Sequence, residues 1–70
     1  MKVRLYKKVS NNKEILDEKI VIKTSVNSNN NTVYHLDSYF FTPYITDVVY
    51  DNRLNEWFNV NGNEYLFEIK

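Results

Sequence analysis

A small all-β domain is the fold class that this sequence predicts, and three observations lead there. Val, Ile, Thr, Tyr, Phe and Trp supply 28 of the 70 residues while Ala and Gln are absent, so strand formers outweigh helix formers. Residues 2 to 9 alternate strictly, with Val3, Leu5, Lys7 and Val9 on one face and Lys2, Arg4, Tyr6 and Lys8 on the other. Asn61-Gly62 is the two-residue signature of a tight hairpin, because a type I′ turn needs positive φ at both positions. A chain of this length holds one domain, residues 1 to 70, of five or six short antiparallel strands. The expected shape is a small barrel of the SH3-like or OB-like kind or a strongly curled meander.

The apolar run from Leu16 to Val26 pairs antiparallel with the first strand if a loop spans Ser10 to Ile15. Val9 then faces Leu16, Leu5 faces Ile20 and Val3 faces Ile22, while Lys8 meets Asp17 and Lys7 meets Glu18. A short helical turn near residues 12 to 18 competes with this loop, since Asn11 followed by Glu14 resembles a capping box. Asn27 to Asn31 is a polar loop suited to positive backbone angles. Closing a second hairpin around it sets Val26 against Thr32, Thr24 against Tyr34 and Ile22 against Leu36. Thr42-Pro43 marks a strand boundary, because proline lacks the donor that a central ladder uses.

The C-terminal 27 residues read as a three-stranded meander of 44 to 50, 55 to 60 and 63 to 70. Around the Asn61-Gly62 turn, Val60 pairs with Asn63, Phe58 with Tyr65, Trp57 with Leu66 and Glu56 with Phe67. A looser turn at Asp51 to Asn55 sets Tyr50 against Glu56 and Val48 against Phe58. Tyr44, Val48, Tyr50, Phe58, Val60, Tyr65, Phe67 and Ile69 then form the core face. On the opposite face Val49, Trp57 and Leu66 make an apolar row with Ile45 at its edge, rimmed by Asp47, Asn59, Glu64 and Glu68.

Composition closes off several function classes. With no cysteine there is no disulfide framework, thiol nucleophile or zinc-thiolate cluster, and a reducing compartment, the cytoplasm, is the expected location. No apolar run approaches the ~18 residues of a spanning helix, so neither membrane insertion nor a signal peptide is expected. With one glycine, Gly62, there is no glycine-rich phosphate loop. The lone His35 beside Asp37 suggests a triad with Ser38, but strand alternation points Ser38 away from it. No catalytic residue, metal site or cofactor is expected. Asn30-Asn31-Thr32 has the form of a glycosylation sequon only, and the oxygen-rich segments at Asp51 and Asn59 lack the spacing of a calcium loop.

Two surfaces remain. A tryptophan among aliphatics with a polar rim has the anatomy of a protein-binding hot spot, which nominates Trp57, Val49, Leu66 and Ile45, with Tyr39 as an aromatic addition. The competing reading makes the row a second core layer under Leu16, Ile20 or a short helix. Self-association through the row is a form of the binding reading. The other surface is the N-terminal basic strand. Lys2, Arg4, Lys7, Lys8 and Lys13 carry five positive charges with no acid, leaving four bases against nine acids in residues 14 to 70. Lys2, Arg4, Tyr6, Lys8 and Lys13 could track phosphates around a stacking ring, although edge strands also carry lysine simply to prevent aggregation. Eleven Asn beside one Gly and no Ala follow AT-rich coding, as in a low-GC bacterium or one of its phages or mobile elements. The expected role is a non-enzymatic inhibitor or adaptor that occludes a host or element protein, with anti-defence one form of it. The alternative is a small nucleic-acid-binding barrel.

Overall fold

The structure is a computed structural model that describes residues 1–40 and 46–70. Six strands form one antiparallel sheet curled into a half-barrel: β1 (Lys2–Val9), β2 (Asn12–Val26), β3 (Thr32–Leu36), β4 (Val48–Tyr50), β5 (Trp57–Val60) and β6 (Asn63–Ile69). Their order across the sheet is β4-β3-β2-β1-β6-β5. The only helical element among the described residues is a 3-10 turn at Asp51–Arg53, so none is long and apolar enough to cross a membrane. The Thr42-Pro43 boundary, Tyr44 and Ile45 lie outside the described residues.

Strand β2 is 15 residues long because it serves two ladders in succession. Residues 12 to 20 pair with β1, and Val21–Val26 pair with β3. The first hairpin is tighter than the expected loop from Ser10 to Ile15, since Val9 pairs with Asn12 across Ser10-Asn11 alone. Ser10 sits at φ 57, the positive angle that the first central position of a type II′ turn uses. No helical turn forms at 12 to 18. The ladder runs Lys8 to Lys13, Lys7 to Glu14 and Tyr6 to Ile15, then slips so that Leu5 meets Asp17 and Arg4 meets Glu18. Leu16 is the extra residue of that bulge, and the expected Leu5–Ile20 and Lys8–Asp17 pairs do not form.

The Asn-rich loop behaves as its chemistry requires. The Asn27 carboxamide oxygen accepts from the amides of Asn29 and Asn31, both at 3.0 Å, and Asn30 adopts φ 64. Val26 pairs with Thr32 and Thr24 with Tyr34 as expected. A second irregularity between Val21 and Lys23 then makes Val21, not Ile22, the partner of Leu36.

The larger correction concerns β4. It pairs with β3 (Val33–Tyr50, Tyr34–Val49, His35–Val48), not with β5, so the C-terminal segment is not a three-stranded meander. The 3-10 turn carries the chain away from β4, and Leu54 bridges Phe67 while the Asn55 amide donates to the Phe67 carbonyl at 2.9 Å. These contacts replace the Glu56–Phe67 pair. Facing Tyr34, Val49 turns inward and is 1% exposed, while Tyr50 is exposed. The expected parity of β4 is therefore reversed.

The core comprises Val3, Leu5, Leu36, Phe40, Val49, Tyr65 and Phe67, with Val21, Tyr34, Leu54, Phe58, Val60 and Ile69 against it. Phe67 stands at its centre, with ring centroids 5.5 Å from Phe40 and 5.2 Å from Phe58. At the β3–β4 edge Asp51 accepts from the Thr32 amide at 2.9 Å and ties the 3-10 turn to the start of β3.

The β5–β6 hairpin has the register read from the sequence, with Asn61 at φ 53 and Gly62 at φ 84. A Cβ added at Gly62 would meet nothing within 4 Å, so replacing it strains the backbone without crowding. Gly62→Ala is expected to cost about 1 kcal/mol in urea unfolding with the m-value unchanged. A cost near zero would mean that the turn does not require this angle.

Candidate functional site

On the face of the sheet opposite the core, directly paired residues share a side. Trp57 pairs with Leu66, Leu66 lies beside Tyr6, and Tyr6 pairs with Ile15, making one apolar row across β5, β6, β1 and β2. Sequence reasoning placed Trp57 and Leu66 in this row but gave it the wrong neighbours. Val49 belongs to the core at the other end of the sheet, Ile45 lies outside the described residues, and Tyr39 is an exposed residue past the end of β3. Tyr6 and Ile15 were missed. Tyr6 reads as a member of a basic strand face, and only the β1–β6 pairing, across 60 residues of chain, reveals its apolar neighbour.

The row is closed in the middle and open at its ends. Tyr6 and Leu66 are 6% and 7% exposed, whereas Trp57 and Ile15 are 41% and 61% exposed. Leu16 and Ile20 are 39% and 53% exposed, and the only helical element among the described residues is the 3-10 turn at Asp51–Arg53. Lys13 on β2 reaches over β1 to Glu68 on β6, Nζ to Oε2 2.7 Å, and passes 4.4 Å from the Tyr6 ring centroid. Lys8 bonds Glu64 at 3.3 Å while its Nζ stands 5.8 Å from the Trp57 ring. On the other flank Glu18 accepts from Arg4 at 2.7 Å and pairs with Lys2 at 3.3 Å, and Glu68 also meets Lys70 at 3.0 Å.

Each of the basic residues Lys2, Arg4, Lys8 and Lys13 therefore has a carboxylate partner. The ring among them, Tyr6, is covered and presents no free face for a base to stack on. Lys2 and Arg4 share Glu18, and Lys13 and Lys70 share Glu68, so with Lys8–Glu64 five cations of this face are held by three carboxylates of β2 and β6.

His35 meets Ser25, not Ser38: Ser25 Oγ and His35 Nε2 are 2.9 Å apart across the β2–β3 ladder. No third group among the described residues orients the other ring nitrogen, so this pair lacks the converging partner that an activated serine uses. No group of three metal-ligating side chains occurs among the described residues. The chain matches no protein-family model, no curated protein and no solved structure.

The bond from Arg4, aided by Lys2, holds the Glu18 carboxyl below its ordinary value of 4.5. Lys13 and then Lys70 do the same for Glu68. A folded-state pKa below the unfolded one contributes stability that is present above about 4.5 and lost as pH falls through the lowered value. The thermal midpoint is thus expected to hold steady from pH ~7 to ~5 and to decline toward pH ~3. In a Glu18→Gln/Glu68→Gln double variant it starts lower at neutral pH and depends less on acid. Parallel melting curves for the two proteins across that range would show that these pairs do not couple to folding.

Proposed function

We propose that this protein is a non-enzymatic binding module that acts by covering part of a partner protein's surface, with Trp57 as its principal anchor. The observation that carries the reading is the placement of Trp57. It stands on the edge strand β5, exposed, next to its cross-strand partner, the buried Leu66, and close to Lys8 of the Lys8–Glu64 ion pair. A large ring beside a buried apolar neighbour with a charged rim excludes water over much area at small entropic cost. Ile15 is the second anchor, at the far end of the same row.

The pairing of the basic strand with internal carboxylates favours a protein partner over nucleic acid, because each phosphate contact would first have to displace a bound carboxylate. AT-rich residue usage supports a source among low-GC bacteria, their phages or mobile elements. A partner from such a cell makes inhibitor or adaptor the natural role, and anti-defence inhibition is one version of it.

The test is capture from a low-GC bacterial lysate treated with nuclease, followed by direct titration of the retained protein. Trp57→Ala is expected to weaken that binding by about 2 kcal/mol or more, roughly 30-fold, while Lys2→Ala leaves it within a factor of about two. Binding unaffected by Trp57→Ala would remove the anchor. Retention only without nuclease, falling steeply with salt, would replace the partner class with nucleic acid.

A further inference from the structure

Strand β2 continues past the end of β1, and its last five residues offer a second, separate surface. The final bond toward β1 is from the Val21 amide to the Met1 carbonyl at 2.9 Å. On the other side, the Asn27 amide donates to the Asn31 carbonyl at 3.0 Å and closes the β2–β3 loop with a bonded pair. Bonded and non-bonded pairs alternate along an antiparallel ladder. Ser25 and Lys23 therefore direct their backbone groups toward β3, and Thr24 and Val26 direct theirs to the side that β1 has left. Among the described residues no strand meets them there.

The overhang reads nearly alike in both directions: Ile22, Lys23, Thr24, Ser25, Val26. We propose that it is a self-pairing edge, on which a second copy of this chain adds its own β2 antiparallel about a two-fold axis at Thr24. Thr24 then faces its counterpart in a reciprocal bonded pair, and Ile22 of each copy faces Val26 of the other. Threonine pairs and paired β-branched residues are favourable cross-strand combinations. Lys23 opposes a serine, so no like charges meet, and the formal net charge of zero adds no repulsion between copies. No proline interrupts the segment, and one lysine is its only charged guard.

Other partners fit less well, because an extended peptide of unrelated sequence would have to match the β-branched spacing that a second copy supplies by symmetry. Ile22 and Val26 are 62% and 64% exposed, and Ile20 and Met1 beside them also leave more than half of their surface in water. Covering these four residues accounts for on the order of 400 Å² per copy, against ~800 Å² in a standard interface. The dimer is accordingly weak and concentration-dependent. It joins two six-stranded sheets edge to edge through β2 and leaves Trp57, on β5, free to act as proposed above.

Sedimentation of the whole chain from about 5 µM to about 1 mM tests the proposal, with the mass expected to rise from 8.4 kDa toward twice that value. Thr24→Pro, which removes a donor from the open side, and Val26→Lys, which leaves the ladder to β3 intact, are each expected to lower the dimer fraction at least tenfold. Trp57→Ala is expected to leave it unchanged. Because the chain has no cysteine, Thr24→Cys gives a direct reading. A bonded antiparallel pair sets its Cα atoms ~5.5 Å apart, within disulfide range, so mild oxidation should cross-link this variant faster than a Ser28→Cys control. A mass constant at 8.4 kDa, equal cross-linking of the two cysteine variants, or a dimer lost with Trp57→Ala but kept with Val26→Lys would each overturn it.

Discussion

Everything in this fold depends on one strand changing partners. β2 gives its first half to β1 and its second half to β3, and the exchange takes place at Ile20 and Val21. A strand that remains continuous through such an exchange must bend, and two irregularities, at Leu16 and beside Ile22, supply the bend. They also reverse which side chains point inward. That is why a strand with five large aliphatic residues, Ile15, Leu16, Ile20, Ile22 and Val26, leaves all five substantially exposed, while Val21 alone packs against the core. The same bend sends β3 and β4 to one edge and β6 and β5 to the other, so the two C-terminal strand segments end at opposite ends of the sheet.

The two faces of the sheet are stabilised by different physics. On the core side, fully buried Phe40, Phe67, Leu5, Val3 and Val49 provide the main driving force, each large side chain contributing roughly 1.5–3 kcal/mol relative to exposure. On the other side the apolar middle of the row is too small to form a second core. Tyr6 is covered by Lys13, which reaches across β1 to Glu68, in the manner of long charged side chains covering apolar surface. Individual exposed ion pairs are worth only ~0–1 kcal/mol. Their effect here is geometric: they cover the middle of the row and leave Trp57 and Ile15 at its ends exposed.

A small sheet with two edges that no other strand covers among the described residues, and with a projecting strand, faces a standing hazard of unplanned association. Here β4 and β5 are short, of three and four residues, and β1, which carries Lys2, Arg4, Lys7 and Lys8, is interior and paired on both sides. The lysines of β1 are therefore not edge guards. Lys2 and Lys8, with Arg4 and with Lys13 of β2, pair with acids of β2 and β6, which explains how a chain with its positive charge crowded into the first 13 residues presents mixed charge in three dimensions.

What the sequence determined by itself is the set of features whose cause is local. The all-β class, the Asn61-Gly62 hairpin with its Trp57–Leu66 pair, the Asn27 to Asn31 loop and the Val26–Thr32 register follow from backbone chemistry within a few residues. Tertiary structure decided the rest. The Ser10-Asn11 turn, the extra residue at Leu16, the pairing of β4 with β3 and the burial of Val49 each depend on which distant strands claim a shared ladder. A shift of one residue costs nothing in local pattern yet turns every later side chain to the opposite face. Tyr6 shares a row with Trp57 for that reason: alternation could place it on a face, but only closure of β1 against β6 could supply the apolar neighbour Leu66 and the Glu68 carboxylate that holds Lys13 over its ring.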